Sequence, residues 1–345
     1  MITCVLSRAA LFLPFLAMTS LAAPKPDPQM QAVLDAHASL KPKPIETLTP
    51  QEARTQPSPA DAVKALLKKQ GKETAPEKVA DVDNRSIEGP AGKIKVRVYR
   101  PVGDGPFPVI VYYHGGGWVI ADLDTYDATP RALANAANAV VVSSHYRQAP
   151  EHKFPAAHED AFATYRWVLA NAAELKVDAN RIAVAGESAG GNLAAAVSMM
   201  AREKNVRLPV HQLLVYPVAD TTMDTASYQE NADAKPLSKA GMEWFAKHAI
   251  PPAEKSNPYL ALVRAPDLRG LPPATIITAQ IDPLRSEGQA YAEKLKAAGV
   301  AVSYRNYDGV THEFFGMGAV IDKAKDAVAF AAENLSSAFA QPTGR

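Results

Sequence analysis

From Phe107 to the C-terminus, short apolar runs alternate with stretches long enough to be helices, and this rhythm limits the fold more than any other feature. The runs cover residues 109–113, 140–144, 182–185, 213–216, 274–279 and 300–304. The helical stretches include 158–173, 190–203, 283–298 and 323–338. A strand with one wet face alternates apolar and polar residues, whereas these runs are apolar on both faces. Such runs interleaved with helices predict an α/β architecture, with a mostly parallel sheet flanked by helices on both sides. Upstream, Ile94, Val96 and Val98 alternate with Lys95, Arg97 and Tyr99, which predicts one strand with a wet face.

Two segments break the rhythm. Residues 24–59 are punctuated by prolines and carry short helical patches. One spans 30–40 with Met30, Val33, Leu34 and His37 on one face. Another starts at Ser58-Pro59, an N-cap followed by proline in the first turn, and turns Val63, Leu66 and Leu67 inward. Helices this short must pack on something to persist in water. Residues 220–256 are polar and loop-like with a helix near 242–248. The expected organisation is a core of 76–219 and 257–340, with accessory helices from 23–75 and from the insertion 220–256.

Residues 1–22 read as an export leader. Arg8 is their only charge, an apolar run from Ala9 to Met18 follows, and Ser20-Leu21-Ala22 supplies small residues for cleavage after Ala22. The apolar run is too short to span a bilayer. Cleavage would remove Cys4, the single cysteine of the 345 residues, leaving no thiol to mispair in an oxidising compartment. The protein is therefore expected to be exported, periplasmic or secreted. One cysteine also excludes a disulfide framework and a multi-cysteine metal site. Lys+Arg 37 against Asp+Glu 36 gives no footprint for nucleic acid or for an anionic membrane surface.

Chemistry concentrates in three places. Gly186-Glu187-Ser188-Ala189-Gly190 fits G-x-S-x-G, directly after the run 182–185 and at the start of a helical stretch. A serine hydroxyl needs a neighbouring base to become a nucleophile, and a sharp strand-to-helix turn would hold Ser188 exposed to one. His114-Gly115-Gly116-Gly117-Trp118 follows the run 109–113, and consecutive glycines let backbone N–H groups turn toward an oxyanion. Phosphate binding is the competing use, but Ile120 stands where a dinucleotide fingerprint needs its third glycine, and no G-x-x-x-x-G-K-[ST] occurs. Asp282 and His312 then follow later runs, completing the order Ser…Asp…His. Alone, Asp282 could be an N-cap and His312 a surface histidine. The candidate catalytic residues are Ser188, Asp282 and His312. The candidate oxyanion donors are Gly115, Gly116, Gly117 and Ala189.

With these motifs the sequence resembles the bacterial hormone-sensitive-lipase-like esterases, also called family IV, of the α/β-hydrolase fold. The matching segments are HGGGW at 114–118, YRQAPEHKFPAA at 146–157, GESAGG at 186–191, VYP at 215–217, DPL at 282–284 and His312. Together they cover most of the chain from about Tyr112 to Phe315. The resemblance implies a helical cap over the core and hydrolysis of short- to medium-chain acyl esters through an acyl-enzyme. It implies no metal or organic cofactor and a small-molecule ester as substrate. Two positions depart from the family: Glu187 stands where aspartate is frequent, and Glu313 where glycine is frequent.

Other residues carry less. His145, His152 and His158 lack the spacing of H-E-x-x-H, so no metal site is expected there. Arg147, Glu151 and Asp160 are expected to form a buried support network under the nucleophile loop. Glu187 and Glu313 flank Ser188 and His312, but adjacent positions on a turn usually point apart, so both are expected to be structural. Trp118, Trp244 and Phe315 fit either the acyl pocket or the core. An amide or lactone hydrolase with the same triad, or a non-catalytic binding protein on the same scaffold, stays open as an alternative. So does a homo-oligomer. No stable membrane insertion and no nucleic-acid partner are expected.

Overall fold

The computed structural model describes residues 24–341, so the expected leader and Cys4 lie outside the described residues. The chain enters through α1 (Pro28–Ser39), α2 (Pro50–Ala53) and α3 (Pro59–Lys69). Each starts with proline in its first turn and a capping side chain before it: Asp27, Thr49 and Ser58. Thr49 with Glu52, and Ser58 with Asp61, close reciprocal capping boxes. Strands β1 (Asp81–Gly89), β2 (Gly92–Arg100) and β3 (Phe107–Tyr113) follow. Next come α4 (Ala128–Ala136), β4 (Val140–His145), α5 (Ala156–Ala170), α6 (Ala172–Leu175), β5 (Val177–Glu187), α7 (Ala189–Glu203) and β6 (His211–Val215). After the insertion helices α8 (Ala226–Glu230) and α9 (Lys239–Ala249), the chain closes with β7 (Ala274–Ile281), α10 (Arg285–Ala297), β8 (Val302–Thr311) and α11 (Asp322–Ala340).

The strands form one sheet in the order β1-β2-β4-β3-β5-β6-β7-β8. Pairs β1/β2 and β2/β4 are antiparallel; every pair from β4/β3 to β7/β8 is parallel. Helices cover both faces, so the α/β-hydrolase fold expected from the sequence is the one observed. The two-residue period of β3 divides the core: Val109, Val111 and Tyr113 pack on the α5–α7–α10 side, Ile110 and Tyr112 on the α4–α11 side. Each such buried valine or isoleucine contributes about 1.5–3 kcal/mol relative to exposure.

Three points differ from the sequence reading. Tyr99 was assigned to a wet face but is fully buried. The helix that covers it, α4, escaped the periodicity argument, and Tyr99 donates its hydroxyl to Asp127 just before that helix. Strand β1 was missed because it is a polar edge strand on which only Ile87 is buried. Strand β8 runs seven residues beyond the expected 304, through Arg305, Asn306 and Asp308, because the other edge of the sheet also tolerates polar residues. It thereby delivers His312 directly off its end. No described helix is long and apolar enough to cross a membrane.

Candidate active site

Four loops leave the C-terminal ends of parallel strands at once. His114 follows β3, Ser188 follows β5, Asp282 follows β7 and His312 follows β8. Open α/β sheets gather their reactive groups at this edge. Ser188 sits at φ 57°, ψ −120°, a sparsely populated conformation for an L-residue, between the end of β5 and the first turn of α7. Its N–H is anchored on the Val215 carbonyl at 2.9 Å. The flanking glycines are steric necessities. A Cβ on Gly186 would run into the Gly190 carbonyl, and one on Gly190 into the Tyr113 carbonyl.

His312 and Asp282 form a buried pair, with Nδ1 2.7 Å from Asp282 Oδ2. The other oxygen of Asp282 accepts the Leu284 N–H at 2.9 Å, which fixes the carboxylate plane. Burial alone would lower the His312 pKa. The charge and hydrogen bond of Asp282, with the charges of Glu313 and Glu187, outweigh burial and raise it above its ordinary value. Ser188 and His312 line one cavity of about 650 Å³ together with Gly116, Gly117 and Trp118. Its upper wall comes from two separate stretches: Leu34, Ile45 and Ala53 of the N-terminal segment, and Leu237, Met242 and Phe245 of the insertion.

The candidate oxyanion donors fall into two groups. Gly116 and Gly117 lie on the cavity with φ 90° and 58°, and neither N–H bonds a carbonyl of a described residue. Ala189 opens α7, where helix N–H groups lack intrahelical partners. Gly115 does not line the cavity. A Cβ there would strike the Tyr126 hydroxyl, and its carbonyl accepts from Tyr146 at 3.1 Å. It supports the loop from below.

Several residues set aside on sequence grounds prove informative. Arg147 does form a fork on buried Asp160, with Nη2 to Oδ1 at 2.8 Å. Glu151 is not part of that network: it is half exposed and pairs with Arg54. Arg54 was missed altogether. Its Nε donates to the Val119 carbonyl and an Nη2 to the Ala149 carbonyl, stapling the N-terminal segment to the core beside the glycine loop. His158 bonds Asn192, whose amide donates to the Val218 and Leu260 carbonyls. Trp118 lines the cavity. Trp244 instead donates to the Leu48 carbonyl, and Phe315 is core.

Glu187 and Glu313, expected to be structural, belong to one electrostatic cluster. Glu187 is buried and Glu313 largely so, and the Glu313 charge acts on both Glu187 and His312. Glu187 accepts from the Tyr112 hydroxyl at 2.5 Å and from the Tyr216 hydroxyl. Burial, then the Glu313 charge, push its pKa up to about 7 against the pull of those tyrosines. Glu313 accepts from Tyr126 at 2.5 Å, and its pKa is raised chiefly by burial. A tyrosine is an ordinary core residue in sequence, so nothing there marks these three as a carboxylate cradle.

A strained serine, a buried histidine–carboxylate pair and a glycine loop at the strand ends of this sheet define a serine hydrolase of α/β type. A family model described as alpha/beta hydrolase fold matches residues 110–316. The chain is 43% identical over 244 residues to the carboxylic ester hydrolase LipN of Mycobacterium tuberculosis; the match covers 69% of this chain and 65% of LipN, just under two thirds of that protein. It is 33% identical over 311 residues to an ethyl acetate hydrolase of Pseudomonas putida, covering 89% of this chain and 96% of that one. Among solved structures, a hyperthermophilic esterase from the archaeon Pyrobaculum calidifontis superposes with a TM-score of 0.82 at 39% identity, covering 91% and 98% of the two chains. The chain belongs to the α/β-hydrolase family. Within it, the chain is a carboxylic ester hydrolase of the hormone-sensitive-lipase-like branch.

Proposed function

We propose that the chain hydrolyses short- to medium-chain carboxylic esters through an acyl-enzyme on Ser188. Ser188 Oγ attacks the acyl carbon while His312 Nε2 takes its proton and passes it to the departing alcohol. Asp282 holds the Nδ1–H tautomer and stabilises the imidazolium. The N–H groups of Gly116, Gly117 and Ala189 receive the oxyanion, each donor being worth on the order of a hundred- to thousand-fold in rate. Water then releases the acid. The observation that carries this reading is that Ser188, Asp282 and His312 each leave the end of a parallel strand, with His312 Nδ1 2.7 Å from Asp282. A cavity of about 650 Å³ supports a small-molecule ester as substrate, since pockets for small ligands span about 300–1,000 Å³.

The test is an acyl series from acetate to laurate, with matched amides and lactones, beside labelling with a serine-directed phosphonate. A single adduct on Ser188 and a rate maximum among the shorter esters are expected. No adduct, or turnover only of the amide or lactone, would overturn the reading. The charge and small-residue pattern of residues 1–22 supports an exported enzyme, periplasmic or secreted. N-terminal sequencing of the periplasmic and medium fractions should begin at Ala23; an intact Met1 confined to the cytosol would defeat export.

A further inference from the structure

Glu313 follows His312 with φ 73° and ψ 0°, a left-handed conformation that glycine adopts freely and a glutamate does not. Such a residue is strained and persists only where its surroundings hold it in place. Its side chain is 18% exposed and lines the cavity beside the reactive groups. Oε1 accepts the Tyr126 hydroxyl and lies 3.8 Å from His312 Nε2, the nitrogen that moves protons. That separation is too long for a direct hydrogen bond and is the kind a single water spans. Glu187 cannot serve the same end, because it does not line the cavity and both its oxygens are turned to the hydroxyls of Tyr112 and Tyr216.

A nucleophile lodged between Nε2 and Glu313 meets two acceptors. Water has a proton for each. An alcohol has only one: if His312 takes it, Glu313 gains no hydrogen bond from the nucleophile, and if Glu313 holds it, His312 has no proton to take.

We propose that Glu313 is a further catalytic residue: its carboxylate, braced by Tyr126, holds the second proton of the deacylating water and steers the acyl-enzyme toward hydrolysis rather than acyl transfer to an alcohol. This rests on the acyl-enzyme reading above. The water oxygen bonds to the acyl carbon, His312 Nε2 takes one of its protons, and the carbonyl electron pair moves onto the oxyanion. On collapse the bond to Ser188 Oγ breaks, and Oγ recovers that proton from His312. Glu313 keeps its hydrogen bond throughout and neither gains nor loses a proton.

The experiment compares wild type with Glu313→Gln and Glu313→Gly in pre-steady-state turnover of p-nitrophenyl butyrate, with methanol as a competing acceptor. The glycine variant suits the backbone at this position, and Tyr126→Phe removes only the brace. Both Glu313 variants should retain the acylation burst, slow deacylation about tenfold and raise the ratio of methyl ester to acid by a similar factor. Tyr126→Phe should do so more weakly. An unchanged product ratio, or an equal fall of acylation and deacylation, would overturn the proposal and leave Glu313 a structural group. Absence of any acyl-enzyme in wild type would instead overturn the reading on which it rests.

Discussion

The strand-end loops below the cavity and the helical segments above it meet around one space, yet they are held in different ways. Below, position is set by backbone contact. The Tyr113 and Gly190 carbonyls leave no room for a Cβ at Gly190 or Gly186, and Ser188 is pinned on Val215. Above, position is set by side chains crossing between distant stretches: Arg54 on Val119 and Ala149, Trp244 on Leu48, and Lys323 on Asp27 at the foot of α1. Backbone contact admits almost no adjustment, whereas side-chain ties can shift by a rotamer. The lower wall is therefore suited to chemistry, and the upper one to fitting different substrates.

The sharpest way to break this comparison is to disable the lower wall chemically without moving it. Asp282→Asn preserves volume and can still accept the Leu284 N–H, but it no longer fixes the His312 tautomer. A fall of about 10⁴-fold in kcat is expected with the circular dichroism spectrum unchanged. A loss below about tenfold would mean that Asp282 only caps the turn into α10.

Two glycines sharpen the contrast on the stability side. Gly190→Ala should cost about 3 kcal/mol in urea unfolding, the upper end of overpacking penalties, because the obstructing atom is backbone. Gly241→Ala in α9 meets side-chain atoms alone, Ile45 Cγ2 and Ser238 Oγ at 3.4 Å and Leu237 Cδ1 at 3.9 Å, and should be neutral or stabilising by about 0.5 kcal/mol. Equal effects would remove the distinction between the walls. Smaller again, Arg54→Ala should raise KM about three- to tenfold while leaving kcat within about twofold, since it loosens the upper wall only. A kcat loss larger than the KM change would place Arg54 with the reactive loops.

Legibility from sequence follows the same divide. Ser188, Gly186, Gly190 and the glycine loop could be read because a backbone constraint admits few residue types, and that leaves a pattern at fixed spacing. Asp282 and His312 were legible through chain order and company, although β8 had to be extended to Thr311 before His312 met a strand end. The upper wall was not legible in its contacts. Its tied members lie far apart in the chain, 196 residues for Trp244 and Leu48 and 296 for Lys323 and Asp27, and any apolar residue of suitable size could have filled most positions. The glutamate pair was hidden for another reason. Its convergence depends on Tyr112, Tyr126 and Tyr216, which come from three different segments and look like core residues until the fold joins them.

That pair also leads to the smallest predicted effect and the one most specific to this chain. His312 must be neutral to take the Ser188 proton, so kcat/KM should fall as pH drops through the pKa of the free enzyme. Because Asp282, Glu313 and Glu187 together raise that pKa over the penalty of burial, the acid limb should lie above the ordinary value of 6.5. Glu313→Gln removes one of the raising charges without touching Asp282, so its limb should move to lower pH. The same variant would therefore be slower in deacylation at alkaline pH and less inhibited by acid, a crossing that a merely unfolded or loosened site would not produce. A limb that stays in place would mean that the Glu313 charge does not reach the imidazole and that Asp282, with Glu187, sets its pKa.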